Sequence, residues 1–255
     1  MREESKKDIS GVTVILPSYN PTETLVGVVA GLAAHGFRDI VLIDDGSGMG
    51  SKTIFERTIA EKPDGSEINL LTHEKNRGKG EALKTGFAFF LENRPESPGI
   101  VTTDDDGQHM PQDARRCAQA MQERGELVLG SRRFNNPETP AKSLAGNRFM
   151  SFMFKAFAGV KITDTQTGLR AIPRGYVPAL VKIGGRRFEY ETAMLINARR
   201  EGFKICEVPI ETVYVDGNRA SHFRPAADSA LIFLQFIKCE AASFAAMLRR
   251  GGKSA

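Results

Sequence analysis

The chain has 255 residues, of which 41% are hydrophobic and 26% charged, and its formal net charge is +4. This is ordinary globular composition, long enough for one large domain or two small ones with a full core. Its cysteines, Cys117, Cys206 and Cys239, lack CxxC or metal-ligand spacing, which argues against a disulfide framework or a zinc site and favours a reducing compartment.

The distribution of charge predicts where the protein works. Residues 1–10 are rich in charge and lack the apolar core of a secretory signal, so we expect a cytoplasmic protein or one on the cytoplasmic face of a membrane. Basic residues cluster in the second half, which favours a phosphate-rich partner. Aromatic and basic residues do not interleave, which disfavours nucleic acid, and anionic lipid suits the pattern better.

The first half of the chain alternates strand-like and helix-like segments. The predicted strands are residues 12–16, 40–43, 68–71, 100–103 and 127–129. The predicted helices are residues 22–34, 52–60, 80–91 and 112–124. This βαβ rhythm predicts an α/β fold with a doubly wound, mostly parallel sheet, which binds ligands beyond the carboxyl ends of its strands.

The second half is less regular, and we expect it to extend the same sheet. The predicted helices are residues 147–157 and 188–201, and the predicted strand is residues 208–215. A turn-rich stretch lies between them at residues 163–168.

An acidic run, TTDDDGQH at residues 102–109, follows the fourth predicted strand. Adjacent anions repel unless a cation lies among them, and Mg²⁺ or Mn²⁺ takes carboxylate oxygens together with water and phosphate. In an extended chain Asp104 and Asp106 share a face, with Asp105 pointing away and Gln108 next on their side. The run therefore indicates a metal bridging a diphosphate, with a solvated acidic turn as the alternative.

Three other motifs follow predicted strands: PSYN at 17–20, DDGS at 44–47 and NRGKG at 76–80. In a parallel sheet all of them converge on one edge with the acidic run. NRGKG places two glycines and two cations just before a helix, whose amino end favours an anion. A diphosphate fits this loop, although a basic surface turn has the same composition.

Taken in this order, these motifs resemble the family 2 glycosyltransferases of the GT-A fold, especially the polyprenyl-phosphate sugar synthases such as dolichyl-phosphate mannose synthase. The resemblance covers residues 12–225. It implies an inverting, metal-dependent enzyme that moves a hexose from a UDP- or GDP-linked sugar to a polyprenyl phosphate at the cytoplasmic membrane face.

The resemblance also assigns roles to individual residues. Those implied to bind the nucleotide sugar are Pro17, Tyr19, Glu23, Asp45, Arg77, Lys79, Asp104 and Asp105. The implied ligands of Mg²⁺ or Mn²⁺ are Asp104, Asp106 and Gln108, and the residues assigned to catalysis are Asp106 and Asp164. His109 is a candidate hydrogen-bond partner of a metal ligand, or a structural histidine.

On the acceptor side, the resemblance gathers residues that hold the acceptor phosphate: Ser131, Arg132, Arg148, Ser151, Arg219 and His222. Many members carry lysine where this chain has His222. Asp164 is the candidate base, but a lipid phosphate is already an anion, so Asp164 then orients a substrate or forms a plain Asx turn.

The implied organisation is a single GT-A domain at residues 11–225, with a nucleotide-sugar half up to residue 130 and an acceptor half from residue 131. A charged tail precedes it, and residues 226–255 form an amphipathic helix and basic tail. That helix is too short an apolar run to span a bilayer, and it is expected to lie on the membrane, pack on another subunit of a homo-oligomer or pack on the core. The chain has no tryptophan, which excludes the Gln-x-x-Arg-Trp element of processive synthases.

Two alternatives remain open. One is a glycosyltransferase whose acceptor is a saccharide or protein hydroxyl, in which case Asp164 must act as a base. The other is a nucleotidyltransferase or a non-catalytic nucleotide-sugar binder, although PSYN is not the glycine-rich loop that nucleotidyltransferases usually carry after the first strand.

Overall fold

The computed structural model describes residues 8–132, 147–148, 150–152, 154–159 and 161–211, together with Leu234 and Ile237. The strands are β1 Thr13–Ser18, β2 Asp39–Asp44, β3 Glu67–Thr72, β4 Gly99–Thr102, β5 Leu127–Arg132, β6 Arg170–Pro173 and β7 Ile205–Ile210. The helices are α1 Thr24–Ala34, α2 Lys52–Ala60, α3 Lys79–Asn93, α4 Pro111–Arg124, α5 Val177–Leu180 and α6 Glu189–Arg200.

The strands form one seven-stranded sheet in the order β3-β2-β1-β4-β6-β5-β7. Strand β1 pairs in parallel with β2 and β4, β2 with β3, and β5 with β7. Strand β6 runs antiparallel to both its neighbours, β4 and β5. The predicted mostly parallel sheet is therefore confirmed, and the second half does extend it.

Helices cover both faces of the sheet because side chains of a buried strand alternate between two cores. In β1, Ile15 packs with side chains of α3 and α6, whereas Val14 and Leu16 pack with side chains of α1, α2 and α4. Apolar side chains therefore fill the middle of β1, and its polar side chains lie at the ends. In the described part of the chain, no helix is long and apolar enough to cross a membrane.

The structure differs from the prediction in four places. Strand β6 was missed, and the last predicted strand lies at Ile205–Ile210 rather than 208–215, of which residues 212–215 fall outside the described part. Strand β4 ends at Thr102, so the acidic run is a turn rather than an extended segment. Of the predicted helix 147–157, the described residues are helical up to Phe152 and form a π-helical turn at Phe154–Ala158.

Candidate functional site

A cavity of about 380 Å³ opens where β1, β2 and β4 end. Its wall is formed by Pro17, Ser18, Tyr19, Asp45, Asn76, Gly78, Lys79, Ala82, Asp104, Asp105, Asp106, Arg187 and Phe188. All four motifs predicted to converge contribute to this wall. Parallel strand order brings them together, since β1, β2 and β4 all end at this edge.

Asp45 fixes the loop that follows β3. Its Oδ1 accepts hydrogen bonds from His73 Nδ1 at 2.7 Å and from the Arg77 backbone N–H at 2.9 Å, and its Oδ2 accepts one from the Gly78 N–H at 2.8 Å. Gly46 permits this approach, because a Cβ there would lie 2.2 Å from the Lys75 carbonyl carbon. One buried carboxylate therefore locks DDGS to NRGKG at the cavity wall.

Lys79 is held between two carboxylates. Its Nζ lies 2.7 Å from Asp104 Oδ1 and 3.1 Å from Glu191 Oε2. Burial alone would lower the pKa of Lys79, but Asp104 and Glu191 raise it above its usual value. Burial likewise opposes ionisation of Asp104, yet Lys79 and His109 hold its pKa well below the usual range.

The negative charges of the other two aspartates of the acidic run are less well stabilised than that of Asp104. Burial, together with repulsion from Asp104 and Asp106, raises the pKa of Asp105 to about 7. Burial and Asp104 also raise the pKa of Asp106, whose Oδ1 accepts the Gln108 backbone N–H at 3.0 Å. The expected alternation is wrong: all three aspartates line the cavity, because the chain turns after β4 instead of staying extended.

The chemistry of this wall fits a hard divalent cation. It offers carboxylate oxygens that repel one another, which a cation relieves. In the described part of the chain, no three His, Cys, Asp or Glu side chains are grouped to bind a metal by themselves. Mg²⁺ is commonly bound by one or two carboxylates plus water and substrate phosphate, so the wall suits an ion that a diphosphate completes.

Three of the residues predicted to bind the nucleotide sugar or the metal lie outside the cavity wall. Glu23 is exposed and pairs with Arg57 at 2.6 Å, and Arg77 approaches Glu81 at 3.4 Å. Gln108 contributes its backbone N–H to the aspartate turn. Their assigned roles stay predictions.

Sequence reasoning missed Arg187 and Phe188 in the wall. They are brought there because the segment before α6 packs on the NRGKG loop: the Arg186 carbonyl accepts the Glu81 N–H at 3.2 Å. A Cβ at Gly78 would lie 2.5 Å from that same carbonyl oxygen. The two glycines of NRGKG indicate that another part of the chain approaches this loop closely. The sequence does not identify which part.

On the acceptor side, Thr163 is a hub for predicted and unpredicted residues. Its hydroxyl lies 2.8 Å from Ser131 Oγ, and its carbonyl accepts from Ser151 Oγ at 3.4 Å and from Asn147. Glu207 Oε1 of β7 accepts its N–H at 2.9 Å. Asn147 and Glu207 were not singled out from the sequence.

The two arginines predicted on the acceptor side that the structure describes differ in environment. Arg148, next to Asn147, is exposed, whereas Arg132 is partly buried against Asp164. The predicted residues Arg219 and His222 lie outside the described residues.

Asp164 has no exposed surface and is not part of the cavity wall. Arg132 donates to both its oxygens, from Nε at 2.7 Å and from Nη2 at 3.0 Å. The Gln166 N–H donates to Oδ1 at 3.2 Å. In this arrangement Asp164 organises the 163–168 loop, and its role as a base stays a prediction.

The 163–168 loop is also packed against the acidic run. Thr102 Oγ1 donates to the Gly168 carbonyl at 2.9 Å, and a Cβ at Gly168 would lie 2.2 Å from Asp104 Oδ2. Arg170, fully buried, donates to the Glu191 carbonyl at 2.6 Å. The 163–168 loop on the acceptor side is therefore in direct contact with the acidic run on the donor side.

The profile of glycosyl transferase family 2 matches residues 13–180 of this chain. The chain belongs to glycosyl transferase family 2. This confirms the family resemblance drawn from the motifs and, at the level of the family, the assignment as a glycosyltransferase.

Curated relatives lie in the branch that the motifs indicated. The chain is 31% identical over 224 residues to UDP-N-acetylglucosamine–dolichyl-phosphate N-acetylglucosaminyltransferase of Methanococcus voltae, covering 82% of this chain and 88% of the relative. It is 30% identical over 212 residues to undecaprenyl-phosphate mannosyltransferase of Micrococcus luteus, covering 79% and 83%.

Solved structures confirm the GT-A fold. Glucosyl-3-phosphoglycerate synthase from Mycobacterium tuberculosis, solved with Mn²⁺, UDP and phosphoglyceric acid, superposes with a TM-score of 0.65. The match covers 90% of this chain and 78% of that chain at 15% identity, so it speaks for the fold alone.

Proposed function

We propose that this protein transfers one hexose, with inversion, from a UDP- or GDP-linked sugar to a polyprenyl phosphate. The observation that carries the proposal is the cavity where the three aspartates of the acidic run, Lys79 and Arg187 meet at the carboxyl edge of the sheet. Anionic and cationic groups on one wall suit a diphosphate bridged by a divalent ion. The names of the curated relatives support a polyprenyl phosphate as acceptor.

On the donor side, Asp104 and Asp106 would hold Mg²⁺ or Mn²⁺, with Gln108 as a further ligand. The ion would supply positive charge to the leaving nucleoside diphosphate. The Mn²⁺ and UDP found with the glucosyl-3-phosphoglycerate synthase support a divalent ion in this role. Lys79 and Arg187 add positive charge on the same wall, and Pro17 and Tyr19 contribute apolar surface to it.

On the acceptor side, the environment of Asp164 favours a phosphate over a hydroxyl. A hydroxyl acceptor needs a base within reach, but both Asp164 oxygens accept hydrogen bonds from Arg132 and the side chain is fully buried. A phosphate oxygen is already an anion and attacks the anomeric carbon as the diphosphate leaves. Arg132, Ser131, Arg148 and Ser151 are the groups we assign to that phosphate.

The proposed location is the cytoplasmic face of a membrane, where a polyprenyl phosphate is embedded. The exposed Arg148 supplies positive charge near the 163–168 loop, which suits anionic headgroups. The amphipathic segment at 226–255, mostly outside the described residues, is expected to lie on the same surface.

The test is product analysis with UDP- and GDP-sugars labelled in the sugar. Each donor is incubated with Mg²⁺ or Mn²⁺ and one of three acceptors: a polyprenyl phosphate, the corresponding neutral polyprenol, or a water-soluble saccharide or protein. Label that enters the organic phase only with the phosphate supports the proposal. Label transferred only to a water-soluble saccharide or protein supports the hydroxyl alternative, and label that stays as intact nucleotide sugar supports a binder.

A further inference from the structure

Lys79 neutralises the first aspartate of the acidic run. Its Nζ lies 2.7 Å from Asp104 Oδ1 and 3.1 Å from Glu191 Oε2, and 5.7 Å from the centre of the Phe188 ring. The lysine side chain is only 17% exposed, so this pair is screened far less than one on the open surface. Asp104, which the proposed function assigns to the divalent ion, is therefore already paired with a cation of the protein itself.

The second oxygen of Asp104 is also enclosed. His109 Nε2 lies 3.4 Å from Oδ2, and Gly168 packs so closely that a Cβ would come within 2.2 Å of it. A divalent ion that approaches Asp104 from the cavity thus meets the carboxylate on the side that faces Lys79. Two cations on one carboxylate oxygen repel each other.

Glu191 keeps Lys79 in this position. The Glu191 carbonyl accepts from Arg170 Nη1 at 2.6 Å, which anchors the first turn of α6, and its carboxylate then reaches Lys79. Glu191 is a positioning residue: it acts through Lys79.

We infer that Lys79 and the divalent ion compete for Asp104, so that the ion binds tightly only together with the diphosphate. The inference rests on the proposed function, because the donor's diphosphate supplies the alternative anion for Lys79. Without nucleotide, an ion must displace the ammonium from Asp104. Coupling between two ligands is reciprocal, so the ion strengthens nucleotide binding by the same factor.

The experiment measures Mn²⁺ binding directly, by the electron paramagnetic resonance signal of free Mn²⁺. Wild type, Lys79→Met and Lys84→Met are titrated with Mn²⁺ alone, and then with UDP or GDP after correction for the Mn²⁺–nucleotide complex in solution. Lys84 is a matched control, since it lies on the same helix and pairs with Glu81 at 2.9 Å. Lys79→Met is expected to bind Mn²⁺ alone roughly tenfold more tightly than wild type, with Lys84→Met unchanged.

Further variants separate charge from shape. Lys79→Arg keeps a cation and is expected to bind Mn²⁺ alone as weakly as wild type. The double variant Lys79→Met/Glu191→Gln is expected to bind Mn²⁺ alone more tightly than the single variant Glu191→Gln, by the same factor that Lys79→Met gains over wild type. A gain that disappears in the double variant would assign the new binding to Glu191 and overturn the inference.

The outcomes for this inference and for the proposed function are distinct. If Lys79→Met binds Mn²⁺ alone no better than wild type, while Asp104→Asn loses the nucleotide-dependent binding, the competition is refuted and the metal site stands. If Asp104→Asn binds Mn²⁺ with nucleotide as well as wild type, the metal site of the proposed function fails and the competition with it.

Discussion

Arg132 holds Asp164 through both carboxylate oxygens, with Nε 2.7 Å from Oδ2 and Nη2 3.0 Å from Oδ1. Such a bidentate pair stabilises the ionised carboxylate and orients it towards the arginine rather than towards a substrate. The residue that the family resemblance offers as a base is thereby part of the scaffold of the 163–168 loop.

Replacing Asp164 with Asn tests this directly. With a polyprenyl phosphate as acceptor, we expect kcat to fall by less than about tenfold, because no proton has to be removed, whereas loss of a general base costs about 10²–10⁴-fold. The measurement is initial rate at saturating substrates, with circular dichroism to confirm that the variant is folded, since a buried ion pair is broken. A fall in kcat of several thousandfold in a folded variant would point to a hydroxyl acceptor.

Asp45→Asn tests the carboxylate that locks two motifs together. An asparagine has one acceptor oxygen and an NH₂ group, so at least one of the His73, Arg77 and Gly78 donors loses its partner. We expect the free energy of unfolding to fall by about 1–3 kcal/mol for each buried donor left unpaired, and donor binding to weaken as well. Urea unfolding measures the first and titration with UDP or GDP the second.

The exposed Asp64 provides the control for this substitution, and Asp64→Asn is expected to unfold like wild type. An Asp45→Asn variant that is as stable as wild type and binds nucleotide equally well would refute the locking role.

Gly46→Ala against Gly65→Ala separates a steric clash from backbone strain. Both glycines have positive φ, +73° and +74°, so alanine costs about 1–2 kcal/mol at either position. At Gly46 the new Cβ would collide with the backbone, because it would lie 2.2 Å from the Lys75 carbonyl carbon. At Gly65 nothing lies within 4 Å of the new Cβ.

We therefore expect Gly46→Ala to lose donor binding or stability well beyond Gly65→Ala, as measured by thermal unfolding with and without nucleotide. Equal losses in the two variants would show that the NRGKG loop does not depend on this close approach.

Gly168→Ala tests the contact between the acceptor loop and the acidic run. A methyl group there would lie 2.2 Å from Asp104 Oδ2, so either the loop or the carboxylate must move. We expect weaker Mn²⁺ binding in the presence of nucleotide and a lower transfer rate. Gly184→Ala, where nothing lies within 4 Å of the added Cβ, is the control and is expected to behave like wild type. Unchanged metal binding in Gly168→Ala would mean that the two halves of the site are independent.

The sequence predicted the sheet and its motifs well for a physical reason. Apolar runs such as Thr13–Ser18 and Asp39–Asp44, separated by helices of regular period, determine a parallel order, and that order places the strand ends at one edge. The sequence alone therefore predicts that one site contains Lys79, Asp45 and the three aspartates of the acidic run.

What escaped prediction depends on contacts distant in sequence. Strand β6 is only four residues long and begins with Arg170, a charged residue that is buried because Glu191, 21 residues away, accepts its hydrogen bond. Arg187 enters the cavity wall because the Arg186 carbonyl meets the Glu81 N–H across more than a hundred residues. The turn of the acidic run depends on where β4 stops pairing, which periodicity does not specify.

The most direct measurement of the central claim is the structure of the lipid product. After reaction of the purified protein with a UDP- or GDP-linked hexose, Mn²⁺ and a polyprenyl phosphate, mass spectrometry and NMR of the extracted lipid identify what was joined and how. We predict a single hexose on the phosphate oxygen with the anomeric configuration opposite to that of the donor, and no product when the divalent ion is chelated. A retained configuration, a hexose attached to a hydroxyl, or undiminished transfer in the chelator would contradict the account.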